Sequence, residues 1–158
     1  MLSPAAVWPV AGKGKIFLVA PDRHMTALDE KSGREIWDSG KYSCRESIGI
    51  SADGLLVYVK NMTEGNLDAF FTSGNEQKLA WESPAGLGYE IAPSPIVESG
   101  QYIYVPTASG MVVYVSKKTH QVVWKHKISN ALVNSVVPVG KHKFLVSLMD
   151  GEIEYLEF

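Results

Sequence analysis

Residues 27–37 read Ala-Leu-Asp-Glu-Lys-Ser-Gly-Arg-Glu-Ile-Trp, so that an alanine, an aspartate, a Ser-Gly pair and a tryptophan follow one another closely. The tryptophan that ends this stretch, Trp37, is the first of three that are almost evenly spaced. Trp81 and Trp124 follow it at intervals of 44 and 43 residues. A period of this length is typical of an array of supersecondary units. The chain of 158 residues therefore predicts a repeat architecture.

Two sets of tight-turn signals recur in phase with these tryptophans. The earlier turn of each unit lies at Gly12-Lys13-Gly14, Asp53-Gly54, Ser99-Gly100 and Gly140-Lys141. The later turn lies at Asp22-Arg23, Glu64-Gly65, Ser109-Gly110 and Asp150-Gly151. The segments between the turns are short and rich in β-branched and aromatic residues, as in Tyr102-Ile103-Tyr104-Val105, which indicates strands. Each unit is thus expected to contain four strands joined by hairpin turns.

Many of these strands are apolar at consecutive positions, which indicates burial on both faces. Sheets that are stacked between other sheets have this property, and a radial array of them is a β-propeller. We therefore predict an all-β fold of about four propeller blades, each of four antiparallel strands, that form an incomplete ring. The chain 1–158 is expected to be a partial propeller with blades at approximately 3–41, 47–84, 92–128 and 134–158, the last of which lacks its outer strand.

The stretch at 27–37 resembles the tryptophan-docking motif of the PQQ-like, or quinoprotein, propeller repeat, Ala-x-Asp-x-x-Thr-Gly-x-x-x-Trp, with serine in place of threonine. The matching residues are Ala27, Asp29, Ser32, Gly33 and Trp37. Later units keep Trp81 and Trp124 in degenerate versions of the motif, and the third unit places Thr119-His120 where the motif has Thr-Gly. The resemblance implies that each tryptophan packs against the neighbouring blade. It also implies that the chain is the C-terminal part of a longer propeller.

Composition excludes several classes of function. The 15 basic and 17 acidic residues are scattered and give a net charge of −2, so no basic patch for nucleic acid is expected. No apolar run approaches the length of a membrane helix, and Met1-Leu2-Ser3-Pro4 lacks the features of a secretory signal. Cys44 is the only cysteine, which rules out an intrachain disulfide and a multi-cysteine zinc site.

Quinoprotein dehydrogenases, which the repeat resembles, add a calcium site, a catalytic aspartate and a vicinal disulfide. A single cysteine cannot form that disulfide, and no Asp-rich loop with calcium-ligand spacing is present. The four histidines also lack a metal-ligand spacing. We therefore predict no catalytic residue, no metal site and no PQQ cofactor.

One group of polar residues is a candidate binding site. Residues that enter the inner strand of a blade lie near the central channel, and here they are Arg45, Glu46, Tyr89, Glu90, Asn130 and Asn134. In register on successive blades, they could line a mouth of the channel and bind a polar ligand or a peptide. The alternative is ordinary loop polarity with an Arg–Glu pair.

Two functions remain open. The first is a noncatalytic binding or scaffolding propeller that recognises a protein or a small polar ligand. The second is a fragment of a degenerate quinoprotein oxidoreductase, or an accessory domain of a kinase or phosphoesterase. Open blade edges also predict a homodimer. The family resemblance suggests a periplasmic or other extracytoplasmic location, although no signal in this chain specifies one.

Overall fold

The structure is a computed structural model that describes residues 8–40, 43–87 and 94–157. These residues form four antiparallel sheets in chain order. The first sheet contains β1 (Val10–Gly12), β2 (Lys15–Val19), β3 (Met25–Asp29) and β4 (Glu35–Asp38). The second contains β5 (Cys44–Ile50), β6 (Leu56–Asn61), β7 (Leu67–Phe71) and β8 (Leu79–Ser83). The third contains β9 (Val97–Ser99), β10 (Tyr102–Pro106), β11 (Met111–Ser116) and β12 (Val122–Lys127).

The fourth sheet contains β13 (Val133–Gly140), β14 (Lys143–Leu148) and β15 (Ile153–Glu157), so it has three strands within the described part of the chain. In every sheet, strands that follow each other in the sequence are hydrogen-bonded neighbours. The predicted fold class, an all-β array of propeller blades, is confirmed. The second sheet begins at Cys44.

The hairpin turns lie where the turn signals place them. In the first sheet, Lys13 and Gly14 both have positive φ angles, of 53° and 77°, which is the backbone of a type I′ turn. In the second sheet, Asp53 orders the turn before β6. Its carboxylate accepts hydrogen bonds from the Ser51 hydroxyl at 2.6 Å and from the Leu55 amide at 2.9 Å.

The middle strands bury both of their faces, because alternate residues pack against different neighbouring sheets. In β6, Val57 and Val59 belong to the first interface, which joins the first and second sheets. Tyr58 belongs to the second interface, which joins the second and third sheets. In β10, Ile103 likewise packs into the second interface, whereas Tyr104 packs into the third, between the third and fourth sheets. Consecutive apolar residues in these strands therefore reflect two packed faces.

Hydrogen bonds also link the inner strands of successive sheets. The Ser47 hydroxyl donates to the Ser94 carbonyl, and the Ser94 hydroxyl donates to the Val133 carbonyl. Next to this ladder, the Ile96 amide donates to the Ile48 carbonyl at 3.0 Å. These bonds connect the second, third and fourth sheets around the axis of the array.

The outward face of the fourth sheet is apolar and exposed. Val137, Leu145 and Tyr155 are paired across its three strands and form one row, and Ile153 lies nearby in β15. All four side chains are exposed, Tyr155 at 52% and Ile153 at 71%. We call these four residues the fourth-sheet face. At the other end of the array, the outward residues of the first sheet, Ile16, Leu18 and Leu28, are half-buried.

Candidate functional site

The inner strands of the sheets all begin at one end of the array, which we call the mouth end. Arg45 and Glu46 are the second and third residues of β5, the inner strand of the second sheet. The pairing of β5 with β6 is irregular between Cys44 and Ile48, so these two residues lie outside the regular ladder. Both are buried, with 4% and 2% of their surface exposed. The structure thus places the predicted pair at the mouth end but beneath the surface.

Glu46 is held by a cation from the first sheet. Arg23 lies in the turn between β2 and β3, and its Nε is 3.9 Å from Glu46 Oε1. The Arg23 side chain is partly exposed, and its Nη1 also donates to the Met62 sulfur at 3.1 Å. Neither carboxylate oxygen of Glu46 has a hydrogen-bond partner among the described residues. Burying a carboxylate is costly without a partner, and the Arg23 guanidinium offsets part of that cost.

A second set of buried polar groups lies at the same end, on β6 and β7. Lys60 is buried, and its Nζ donates to the Pro106 carbonyl of the third sheet at 2.5 Å. Asp68 is also buried and accepts a hydrogen bond from Asn61 Nδ2 at 3.1 Å. Sequence reasoning missed Lys60 and Asp68. The sequence feature that could have indicated them is a charged residue next to apolar ones: Lys60 follows the apolar stretch Leu56–Val59, and Asp68 lies inside β7.

The other predicted site residues have different positions. Asn130 lies in the loop before β13, and Asn134 is the second residue of β13. Both are exposed, and Asn134 Nδ2 is 3.4 Å from the Ser147 hydroxyl. Tyr89 and Glu90 lie outside the described residues. At the mouth end, the asparagines are therefore presented to solvent while Arg45 and Glu46 are not.

The docking stretch at 27–37 forms a closed local hydrogen-bond network. The Asp29 carboxylate accepts bonds from the Ser32 hydroxyl and the Ser32 amide, both at 2.7 Å. These bonds hold the pKa of Asp29 below its ordinary value. Ala27 pairs with Trp37 across β3 and β4 and is fully buried. Trp37 is buried in the first interface, with its ring centroid 5.9 Å from that of Phe17.

The later tryptophans have different surroundings. Trp81 stacks on His120 of the third sheet, with ring centroids 4.5 Å apart and planes inclined by only 8°. Trp124 is 40% exposed and meets Tyr114 edge-on at 4.9 Å. The contact between Trp81 and His120 therefore couples two sheets through the loop that follows β11.

In the part of the chain that the structure describes, no group of three or more His, Cys, Asp or Glu side chains is arranged to hold a metal ion. Among the same residues there is no helix long and apolar enough to cross a membrane.

Cys44 is buried in the first interface, and this burial raises the pKa of its thiol well above the ordinary value.

Comparison with known proteins identifies the repeat. Residues 2–137 match the family model of the outer membrane protein assembly factor BamB, whereas no curated protein sequence matches significantly. Among solved structures, BamB from Moraxella catarrhalis is similar at a TM-score of 0.72 and 14% identity, over 99% of this chain and 46% of that one.

Two computationally designed proteins are similar as well. Ika8 has a TM-score of 0.72 and 11% identity over 95% of this chain and 45% of its own. Ika4 has a TM-score of 0.71 and 11% identity over 100% of this chain and 96% of its own. The chain thus spans about half the length of BamB and of Ika8. The structural likeness shows the fold, and the family match covers most of the chain. The chain belongs to the BamB family of PQQ-like β-propeller proteins.

Proposed function

We propose that this chain is a noncatalytic interaction module, which pairs with a second copy of itself through its blades and presents its mouth end to a different protein. The observation that carries the proposal is the fourth-sheet face, where Val137, Leu145, Ile153 and Tyr155 are exposed on one side of one sheet. Large contiguous apolar patches on globular proteins mark interaction surfaces. The three interfaces inside the chain show what such a face packs against, namely another sheet of the same kind.

The occupant that we propose for this face is a second copy of the chain. Ile16, Leu18 and Leu28 on the first sheet supply a matching apolar surface at the opposite end of the array. Two copies related by a two-fold axis would pack each fourth sheet against the partner's first sheet, which makes two identical interfaces. Because the chain spans 46% of the length of BamB, two copies have about the length of that protein.

The module is proposed to work outside the cytoplasm and without PQQ. The family is named after a factor in outer membrane protein assembly, which supports an extracytoplasmic protein partner. The mouth end is the proposed surface for that partner, through the partly exposed Arg23 and the exposed Asn130 and Asn134. The mouth end would recognise a polar ligand or a peptide of the partner by hydrogen bonds and by the charge of the Arg23 guanidinium.

Light scattering after size-exclusion chromatography tests the pairing. At tens of micromolar, we expect roughly twice the chain mass of 17.3 kDa. Tyr155→Lys places a charge within the fourth-sheet face, on its outer strand β15, and should produce the monomer. The matched control is Leu79→Lys in β8, a site that is 46% exposed but lies on the second sheet, and it should remain a dimer. A monomeric wild-type chain would overturn the pairing, and a dimeric Tyr155→Lys variant would overturn the choice of face.

A further inference from the structure

A cavity of about 360 Å³ opens between the third and fourth sheets, at the end of the array opposite to the mouth end. Its rim is formed by the first turns of the two sheets, with Gln101 on one side and Lys141 and His142 on the other. Tyr102 and Tyr104 of β10 form its wall. Aromatic walls with a few polar groups, in a volume of this size, are typical of small-molecule sites.

The corresponding position in the second interface is filled by a carboxylate of the chain itself. Tyr58 in β6 is equivalent to Tyr104 in β10. Each tyrosine faces the following sheet, and the residue on either side of it in the strand is a valine or an isoleucine that faces the preceding sheet. The Tyr58 hydroxyl donates to Glu98 Oε2 of the third sheet at 2.6 Å. Lys117 Nζ lies 2.5 Å from Glu98 Oε1 and completes the charge pair.

Among the residues that the structure describes, the fourth sheet has no such carboxylate. Glu98 pairs with Ile103, and Pro138 pairs with Phe144. Ile103 and Phe144 are equivalent residues, because both face the preceding sheet from the second strand. Pro138 therefore stands where the third sheet has Glu98, and its side chain cannot accept a hydrogen bond.

No described residue accepts a hydrogen bond from the Tyr104 hydroxyl. A tyrosine hydroxyl is protonated at neutral pH, and burial raises the pKa of Tyr104 further above its ordinary value. The ring is fixed by Phe144 and Tyr114, whose centroids lie 4.3 Å and 4.8 Å away. A fixed, protonated donor at the wall of an open cavity is suited to an acceptor that comes from outside the chain.

We propose that this cavity binds a carboxylate that is attached to a planar apolar group. In this arrangement, the carboxylate takes the place that Glu98 has in the second interface and accepts the hydrogen bond of the Tyr104 hydroxyl. Lys141 supplies the cation that Lys117 supplies there. The planar group lies against Tyr102 and His142, whose ring centroids are 6.2 Å apart. A free aromatic acid and a peptide that ends in an aromatic residue both present this chemistry.

Titration of the 15N-labelled chain with phenylacetate, followed by NMR, tests the proposal. We expect the amide signals of Gly100 and Gly140 at the rim to shift, and we expect phenylacetamide, the neutral isostere, to bind at least about tenfold more weakly. A tetrapeptide that ends in phenylalanine, with a free or an amidated C-terminus, distinguishes the two sources. Tighter binding of the free-acid peptide than of phenylacetate identifies a peptide terminus as the ligand, and the reverse order identifies a small acid.

Two matched variants locate the interaction. Tyr104→Phe removes the hydroxyl at the cavity and should weaken phenylacetate binding about fivefold to tenfold. Tyr58→Phe removes the equivalent hydroxyl in the second interface, where Glu98 already occupies the site, and should leave the affinity unchanged. Equal binding of phenylacetate and phenylacetamide would overturn the proposal. Unchanged affinity of Tyr104→Phe for phenylacetate would also overturn it. So would the absence of any shift of the rim signals at about 10 mM phenylacetate, because the affinity would then be too low for a specific small-molecule site.

Discussion

His120 occupies the position at which the docking motif has glycine, and it keeps the backbone of a glycine. Its φ angle is 55°, in the left-handed region, where a side chain costs about 1 kcal/mol. In return, its imidazole stacks on the Trp81 ring of the preceding sheet. Such a stack contributes about 0.5–1.5 kcal/mol. The ring stack between the two sheets therefore offsets the cost of the left-handed backbone at His120.

Substitution of His120 separates these two effects. His120→Ala keeps the strained backbone and loses the stack, so we expect the free energy of unfolding to fall by about 1 kcal/mol. His120→Gly loses the stack but removes the strain, so its stability should lie close to that of the wild type. Urea denaturation measures both. Equal stabilities of the alanine and glycine variants would show that the left-handed backbone carries no cost here.

Residues whose partners are close in the sequence were predicted well, and residues with distant partners were not. The motif indicated Asp29 and Ser32, whose hydrogen bonds span three residues. The stacking of His120 could not be predicted, because its partner Trp81 belongs to another unit. Lys60 was missed for the same reason, since its acceptor is the Pro106 carbonyl of the third sheet. No local pattern in the chain encodes these contacts.

At the scale of the element, the inner strands of the second and third sheets approach each other unusually closely. A Cβ atom on Gly49 in β5 would lie 2.2 Å from the Ile96 carbonyl oxygen, well inside van der Waals contact. The same stretch carries the hydrogen bond from the Ile96 amide to the Ile48 carbonyl. Glycine at this position therefore permits the two backbones to be bonded directly.

A pair of glycine substitutions tests this packing. Gly49→Ala forces the inner strands apart, and we expect it to lower the free energy of unfolding by about 3 kcal/mol. Gly140→Ala is the control, because the nearest atom to its added Cβ is the flexible Lys143 side chain at 3.5 Å. Its effect should stay within about 0.5 kcal/mol. Thermal melts of the two variants compare them, and a Gly49→Ala protein as stable as the control would contradict the close approach.

The sequence predicted the strands of the array more reliably than it predicted the surroundings of the site. Turn signals and apolar runs determine the strands, and both are visible in a single unit. The burial of Arg45 and Glu46 was not visible, because the apolar run of β5 starts only at Ile48 and the compensating cation, Arg23, comes from the first sheet. A pattern within one strand cannot show which charge a neighbouring sheet supplies.

The described part of the chain is held together by three interfaces in series. Each joins one sheet to the next, so the stability of the array is a sum over sheets and their nearest neighbours. Cys44 lies in the first interface and is fully buried. Its thiol is therefore a probe for separation of the first two sheets.

The rate of alkylation of Cys44 measures how often the first two sheets separate. Iodoacetamide reacts with the thiolate, and burial both shields the sulfur and raises the pKa of the thiol. We expect no labelling in native buffer over about an hour and complete labelling once urea unfolds the chain. Mass spectrometry measures the modified fraction. Rapid labelling without urea would show that the first sheet opens away from the others under native conditions.

The two-faced middle strands have a consequence for how such a chain can grow. Neighbouring residues such as Val57 and Tyr58 meet different partners, one in the preceding sheet and one in the following sheet. A tandem duplication of one unit therefore copies both halves of a contact at once. The new unit arrives with a surface for its predecessor and a surface for its successor, and the chain lengthens without having to evolve a new core.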